Sequence, residues 1–121
     1  MFINFSNHSS AQWSEEQHRA ASAFGEVVDY QFPDVDPTWS EEEVSRLAEK
    51  CAKEILEQSP DYVLCQGEFC LAFAVAEKLK ARKIRVGSAC SRREAVESVD
   101  ENGDHIKRSI FRFVQFREYQ N

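Results

Sequence analysis

His8 is the side chain in this 121-residue sequence best placed for proton transfer near neutral pH, because it closes a short apolar run with small polar neighbours, Ser6 and Asn7. Further along, Gln66-Gly67-Glu68 supplies an amide, a flexible turn and a carboxylate, and 88–93 supplies hydroxyls and two guanidinium groups. Ser88, Ser91, Arg92, Arg93 and Arg117 suit a phosphate, since the planar fork of arginine matches phosphate oxygens in pairs. One histidine, one glutamate, hydroxyls and arginines are a set for phosphodiester cleavage without a metal. In that chemistry the substrate's own 2′-hydroxyl attacks the neighbouring phosphate, while the protein aligns the attack, stabilises the phosphoryl oxygens and protonates the leaving oxygen. Trp13 suits stacking on a base, or packing at a helix start. Glu68 suits catalysis, or equally the first turn of a helix, where a carboxylate complements the dipole.

Other chemistries lack their residues. There is no G-x-G-x-x-G and no Walker phosphate loop, which disfavours dinucleotide cofactors and nucleoside triphosphate hydrolysis, and no cofactor is expected. No aspartate cluster marks a two-metal centre, and no G-x-S-x-G elbow marks a serine hydrolase. Cys51, Cys65, Cys70 and Cys90 include no C-x-x-C pair, so free thiols are expected rather than disulfides or a metal site. The apolar run begins at Met1, with no stretch that reads as a signal peptide or membrane span, and the expected location is the cytoplasm. The net charge of −6 is unevenly spread. Residues 1–77 hold 4 basic and 15 acidic residues, a net of −11, and residues 78–121 hold 11 basic and 6 acidic, a net of +5. A basic half on an acidic protein can take a small polyanion while rejecting long nucleic acid.

These residues need elements to position them. Residues 2–5 read as a strand, and Ser14-Glu-Glu-Gln17 as a capping box opening a helix to about Phe24, which Gly25 ends. A second strand spans 26–32, stopped by Pro33, and 33–38 is a loop by composition. Ser40-Glu-Glu-Glu43 is another capping box, and Val44, Leu47, Ala48, Cys51, Ala52, Ile55 and Leu56 form one helical stripe ending near Pro60. A strand over 61–65 follows, then a helix from Glu68 to about Arg82, apolar nearly all round and so expected to be largely buried. A fourth strand covers 83–90, and 94–99 and 105–118 read as two more, joined across the hairpin signal Asn102-Gly103. Ile110, Phe111, Phe113, Val114 and Phe116 put apolar side chains on both faces, as in an inner strand. Strand and helix in alternation imply parallel strands with right-handed crossovers. The expected fold is one α/β domain over 1–121, a three-layer, Rossmann-like, mostly parallel sheet of about six strands, with a C-terminal hairpin addition over about 94–118. The carboxyl ends of such strands would gather the residues above, with the N-terminus of the helix after Glu68 aimed at the same place.

At Asn4-Phe-Ser-Asn-His8, Gly67-Glu68-Phe69, Ala89-Cys90-Ser91 and Phe111-Arg-Phe-Val-Gln-Phe-Arg-Glu-Tyr119, the chain resembles the small CRISPR-associated ring nucleases and related Rossmann-like proteins that handle cyclic oligoadenylate. The resemblance spans most of the chain. It implies a homodimer that binds cyclic oligoadenylate across its two-fold axis and cuts it without metal, switching off type III CRISPR antiviral signalling. It makes His8 the general acid and Arg93 a phosphate contact, and the pattern has an acidic residue where Arg92 stands. The candidate catalytic residues are therefore His8, Glu68 and Arg93. The candidate ligand contacts are Ser6, Asn7, Trp13, Gln66, Gly67, Ser88, Ser91, Arg92 and Arg117. Two other readings use the same residues: a nucleotide sensor or sponge that binds without turnover, and an interaction protein assembling through the polar hairpin and its edge strand.

Overall fold

The first strand, β1 (Phe2–Ser6), is buried at every position, as a central parallel strand covered on both faces must be. The computed structural model describes residues 1–121. After β1 come a 3-10 turn (Ser10–Gln12), α1 (Glu15–Ser22), β2 (Val27–Asp29), α2 (Glu41–Glu57), β3 (Tyr62–Gln66), α3 (Phe69–Ala81), β4 (Arg85–Val99) and β5 (His105–Glu118). The five strands form one sheet in the order β2-β1-β3-β4-β5. The first four are parallel neighbours, and β5 returns antiparallel to β4 as a C-terminal hairpin. No helix is long and apolar enough to cross a membrane.

Alternation along the strands sorts the core. Ile3, Phe5, Val63, Cys65 and Val86 join α2 residues Ala48, Cys51, Ala52 and Ile55 and α3 residues Leu71, Val75 and Leu79 in one cluster. Phe2, Tyr62 and Leu64 join Ala21 of α1, with Trp13, Phe24 and Phe116 packed alongside. The Ser40 capping box closes in both directions, and Ser14 accepts from the Gln17 N–H, so both helix starts lie where their signals place them.

Three expectations change. The separate strands expected over 83–90 and 94–99 are a single β4, so the sheet has five strands rather than six. The polar stretch from Cys90 to Arg93 looked like a break because only Arg85–Gly87 of β4 pair with β3. Beyond Gly87 the β4–β5 ribbon runs out alone, and a strand without a covered face has no apolar alternation to betray it. Secondly, β5 is an edge strand, not an inner one: Phe111 is 70% exposed and Val114 51%. A bulge gathers three of its phenylalanines on one face, with Ile110 on the other. Cys90 pairs with Gln115 but Ser91 pairs with Phe113, so Val114 is skipped. That extra residue puts Phe113 on the same face as Phe116, their rings 4.9 Å apart. Thirdly, α3 buries one side only. Leu71, Val75 and Leu79 face the core, whereas Phe69 and Phe73, one turn apart, are exposed on another side.

Gly87 sits where β4 leaves β3. A Cβ there would collide with the backbone oxygen of Arg117 and the Tyr62 hydroxyl, which is already buried without a hydrogen-bond partner. Gly87→Ala is expected to force the hairpin away from the sheet at a cost of roughly 1–3 kcal/mol. Thermal unfolding would show this as a Tm lowered by about 4 °C or more, and an unchanged Tm would mean the junction yields freely.

Candidate functional site

The connection from β1 leads through α1 to β2 on one side, while that from β3 leads through α3 to β4 on the other. The sheet order therefore reverses between β1 and β3, and in open α/β sheets the crevice beyond the carboxyl ends at such a point is where ligands bind. Here it holds a cavity of about 830 Å³, lined by Ser6, Asn7 and His8 at the end of β1, by Gln66 and Gly67 at the end of β3, by Gln12 to Gln17 and Arg19 around α1, and by Ser91 and Phe111 to Phe113 of the hairpin. The volume lies within the usual range of small-molecule sites, about 300–1,000 Å³.

The His8 loop is held from below. Asn4 is 1% exposed, so its amide must find partners inside the protein. It donates to the His8 carbonyl at 2.8 Å and to Asp29 Oδ1 at 2.9 Å, and its own oxygen accepts from Ser6 Oγ at 2.6 Å. Ser6 Oγ in turn accepts from the His8 N–H at 3.3 Å. Asp29, at the end of β2, also accepts from the Ser10 N–H and from the hydroxyls of Ser9 and Ser10. Partial burial alone would raise the Asp29 pKa, but the hydrogen bonds from Asn4, Ser10 and Ser9 outweigh it, and the carboxyl titrates below its usual value. The backbone of His8 is thus fixed while its imidazole, exposed on the cavity wall, stays free of protein partners.

The other walls are equally specific. Gln66 Oε1 accepts from the Ala89 N–H at 2.8 Å, continuing the β3–β4 ladder by a side chain where the backbones part. Gly67 lies against the Phe32 ring, where a Cβ would approach to 2.7 Å. The two arginines on the cavity are already paired, Arg19 with Glu15 at 3.2 Å and Arg112 with Glu94 at 2.7 Å. Such exposed pairs exchange partners at little cost.

Of the expected residues, Ser6, Asn7, His8, Trp13, Gln66, Gly67 and Ser91 line this one cavity, although they span most of the chain. Five others do not. Glu68 caps α3, accepting from the N–H groups of Cys70 and Leu71 at 3.0 and 2.8 Å. The bond from Leu71 is the main cause of its lowered pKa. The free helix N–H groups expected to greet an anion are therefore taken by the protein's own carboxylate. Arg93 shares the face of Ser91 but lies farther out on the ribbon, donating to Ser109 Oγ at 3.0 Å. Ser88, Arg92 and Arg117 fall on the opposite face by strand alternation, and Arg117 donates to Cys90 Sγ at 3.0 and 3.3 Å. All four cysteines are free thiols, and no three His, Cys, Asp or Glu side chains gather as metal ligands.

Sequence reasoning missed Asn4, Asp29, Gln12, Arg19, Phe111, Arg112 and Phe113. A polar Asn inside an otherwise apolar strand was the available signal for Asn4; nothing local marks the others.

A sheet whose order reverses between β1 and β3, with a crevice at its strand ends walled by loops and a hairpin, defines an α/β protein. The chain belongs to the Uncharacterized protein MJ1673 family, whose model matches residues 1–117. No curated protein and no solved structure matches it.

Because the Asp29 pKa is lowered on folding, its stabilising effect is present above the usual carboxylate range and is lost as pH falls through it. Asp29→Asn should lower Tm at neutral pH, with the gap to the parent protein closing on acidification. A gap that is constant with pH would remove the ionised carboxylate from its role in holding the loop.

Proposed function

We propose that this protein is a ring nuclease-like phosphodiesterase that opens cyclic oligoadenylate messengers without a metal and so switches off type III CRISPR antiviral signalling. The observation that carries the proposal is the meeting of His8, Ser6, Asn7, Gln66 and Ser91 with Arg19 and Arg112 around one cavity at the reversal of the sheet. In the proposed step a ribose 2′-oxygen forms a bond to phosphorus and the bond from phosphorus to the 5′-oxygen breaks. The 2′-hydroxyl proton passes to solvent, and His8 protonates the departing 5′-oxygen. The product carries a 2′,3′-cyclic phosphate and a 5′-hydroxyl. Arg19, released from its carboxylate partner, faces the phosphoryl oxygens, and Arg93, on the ribbon face of Ser91, meets the next phosphate of a ring. Ser91 and the amides of Asn7 and Gln66 hold sugar and phosphate oxygens. The reading includes a three-layer, Rossmann-like domain acting in the cytoplasm as a homodimer, since a two-stranded ribbon with open edges is marginal in water unless something packs on it.

A second reading, a binding module without turnover, is favoured by one observation: the Glu68 carboxylate is spent on the helix cap, leaving no free carboxylate of the expected set in the cavity as a base.

Incubation with cyclic tri-, tetra- and hexa-adenylate in excess chelator should yield linear products from at least one ring. His8→Ala should slow that reaction about a hundredfold or more. Intact rings after prolonged incubation would sink the enzyme, and calorimetry showing tight binding to an intact ring would select the sensor.

A further inference from the structure

We propose that the hairpin supplies the base-recognition wall of this site, with the Phe111 ring stacking on a nucleobase; this rests on the nucleotide reading of the cavity. Aromatic rings run outward from the core toward the crevice. Phe2 meets Trp13 edge-on at 5.9 Å and Phe116 at 4.9 Å, and Phe116 meets Phe113 at 4.9 Å. Phe111 continues the series on the same face of β5, lines the cavity, and is 70% exposed with no ring against it.

That placement depends on the bulge. With strict alternation, Phe111 and Phe113 would share a face with Gln115 and Arg117; skipping Val114 turns them to the side of Phe116, the side of α1 and the cavity. An extra residue that aims two phenylalanines into a cavity otherwise lined mainly by polar groups calls for a ligand with a flat apolar face and polar edges. A nucleobase has both, and every base offers a face for stacking. His8, Gln66 and Ser91 line the same cavity, so the ring serves a base while its neighbours serve the attached sugar and phosphate.

The test uses adenosine 5′-monophosphate and ribose 5-phosphate, which share the sugar and phosphate and differ in the base. Calorimetry on the full chain should show tighter binding of the adenylate. Phe111→Ala should weaken it about tenfold, toward the ribose phosphate, which itself stays unchanged. Phe111→Tyr should restore the preference, and an unaltered Tm in both variants would show the exposed ring is not needed for folding. Equal affinities in the parent, or a preference that survives Phe111→Ala, would overturn the inference. So would a Phe111→Ala protein that changes its oligomeric state in sedimentation while keeping its adenylate affinity, because the ring would then serve a protein contact. Base preference through Phe111 with every cyclic ring left intact would refute the phosphodiesterase and keep the base wall. Ring opening with unaltered preference in Phe111→Ala would do the reverse.

Discussion

A buried amide shapes this site. Asn4 lies within the central strand, at a position where a purely apolar side chain would suit the core better. Its hydrogen-bonding groups cannot reach water, and leaving them unpaired would cost about 1–3 kcal/mol each. The chain meets that demand by folding the loop after β1 back over the strand end, so that the His8 carbonyl, Ser6 and Asp29 complete the set. Polar satisfaction in the core thereby becomes positional accuracy at the surface. An exposed imidazole on a polar loop would ordinarily sample many positions; here its backbone is fixed by Asn4 and Ser6 of β1, and Asp29 of β2 anchors the two residues that follow.

The opposite wall is built by a different device. Past Gly87, β4 leaves its parallel neighbour, with Gln66 bridging the gap, and the ribbon is free to lean over the strand ends. One skipped residue then decides which side chains it shows to the cavity. The electrostatics are balanced rather than basic, because each arginine on the cavity is held by a carboxylate and Glu68 fills the α3 terminus. Binding an anion there means exchanging exposed ion pairs, not neutralising a standing positive patch.

Both helix caps, the apolar stripe of α2, the turn at Asn102-Gly103 and the parallel direction of the first four strands were legible, because each depends on neighbours within about one turn or on a simple connection rule. The site was legible in part. Topology alone predicts that His8 and Gln66 meet, since both follow parallel strands. It does not predict which face Phe111 or Phe113 takes, because the skipped Val114 inverts the parity of β5 beyond it. It gave no sign of Arg19 or Asp29, whose roles come from contacts with distant loops.

The amino-acid order by itself determined the helices, the first three strands and which residues follow the parallel strand ends, since hydrophobic period, capping and strand ends are local properties of a chain. Only the tertiary structure decided that the ribbon stands free, that Phe111 rather than Arg117 faces the cavity, and that Asn4 governs the His8 loop. Register across strands and the pairing of buried polar atoms are set by residues far apart in the chain, and no local pattern encodes them.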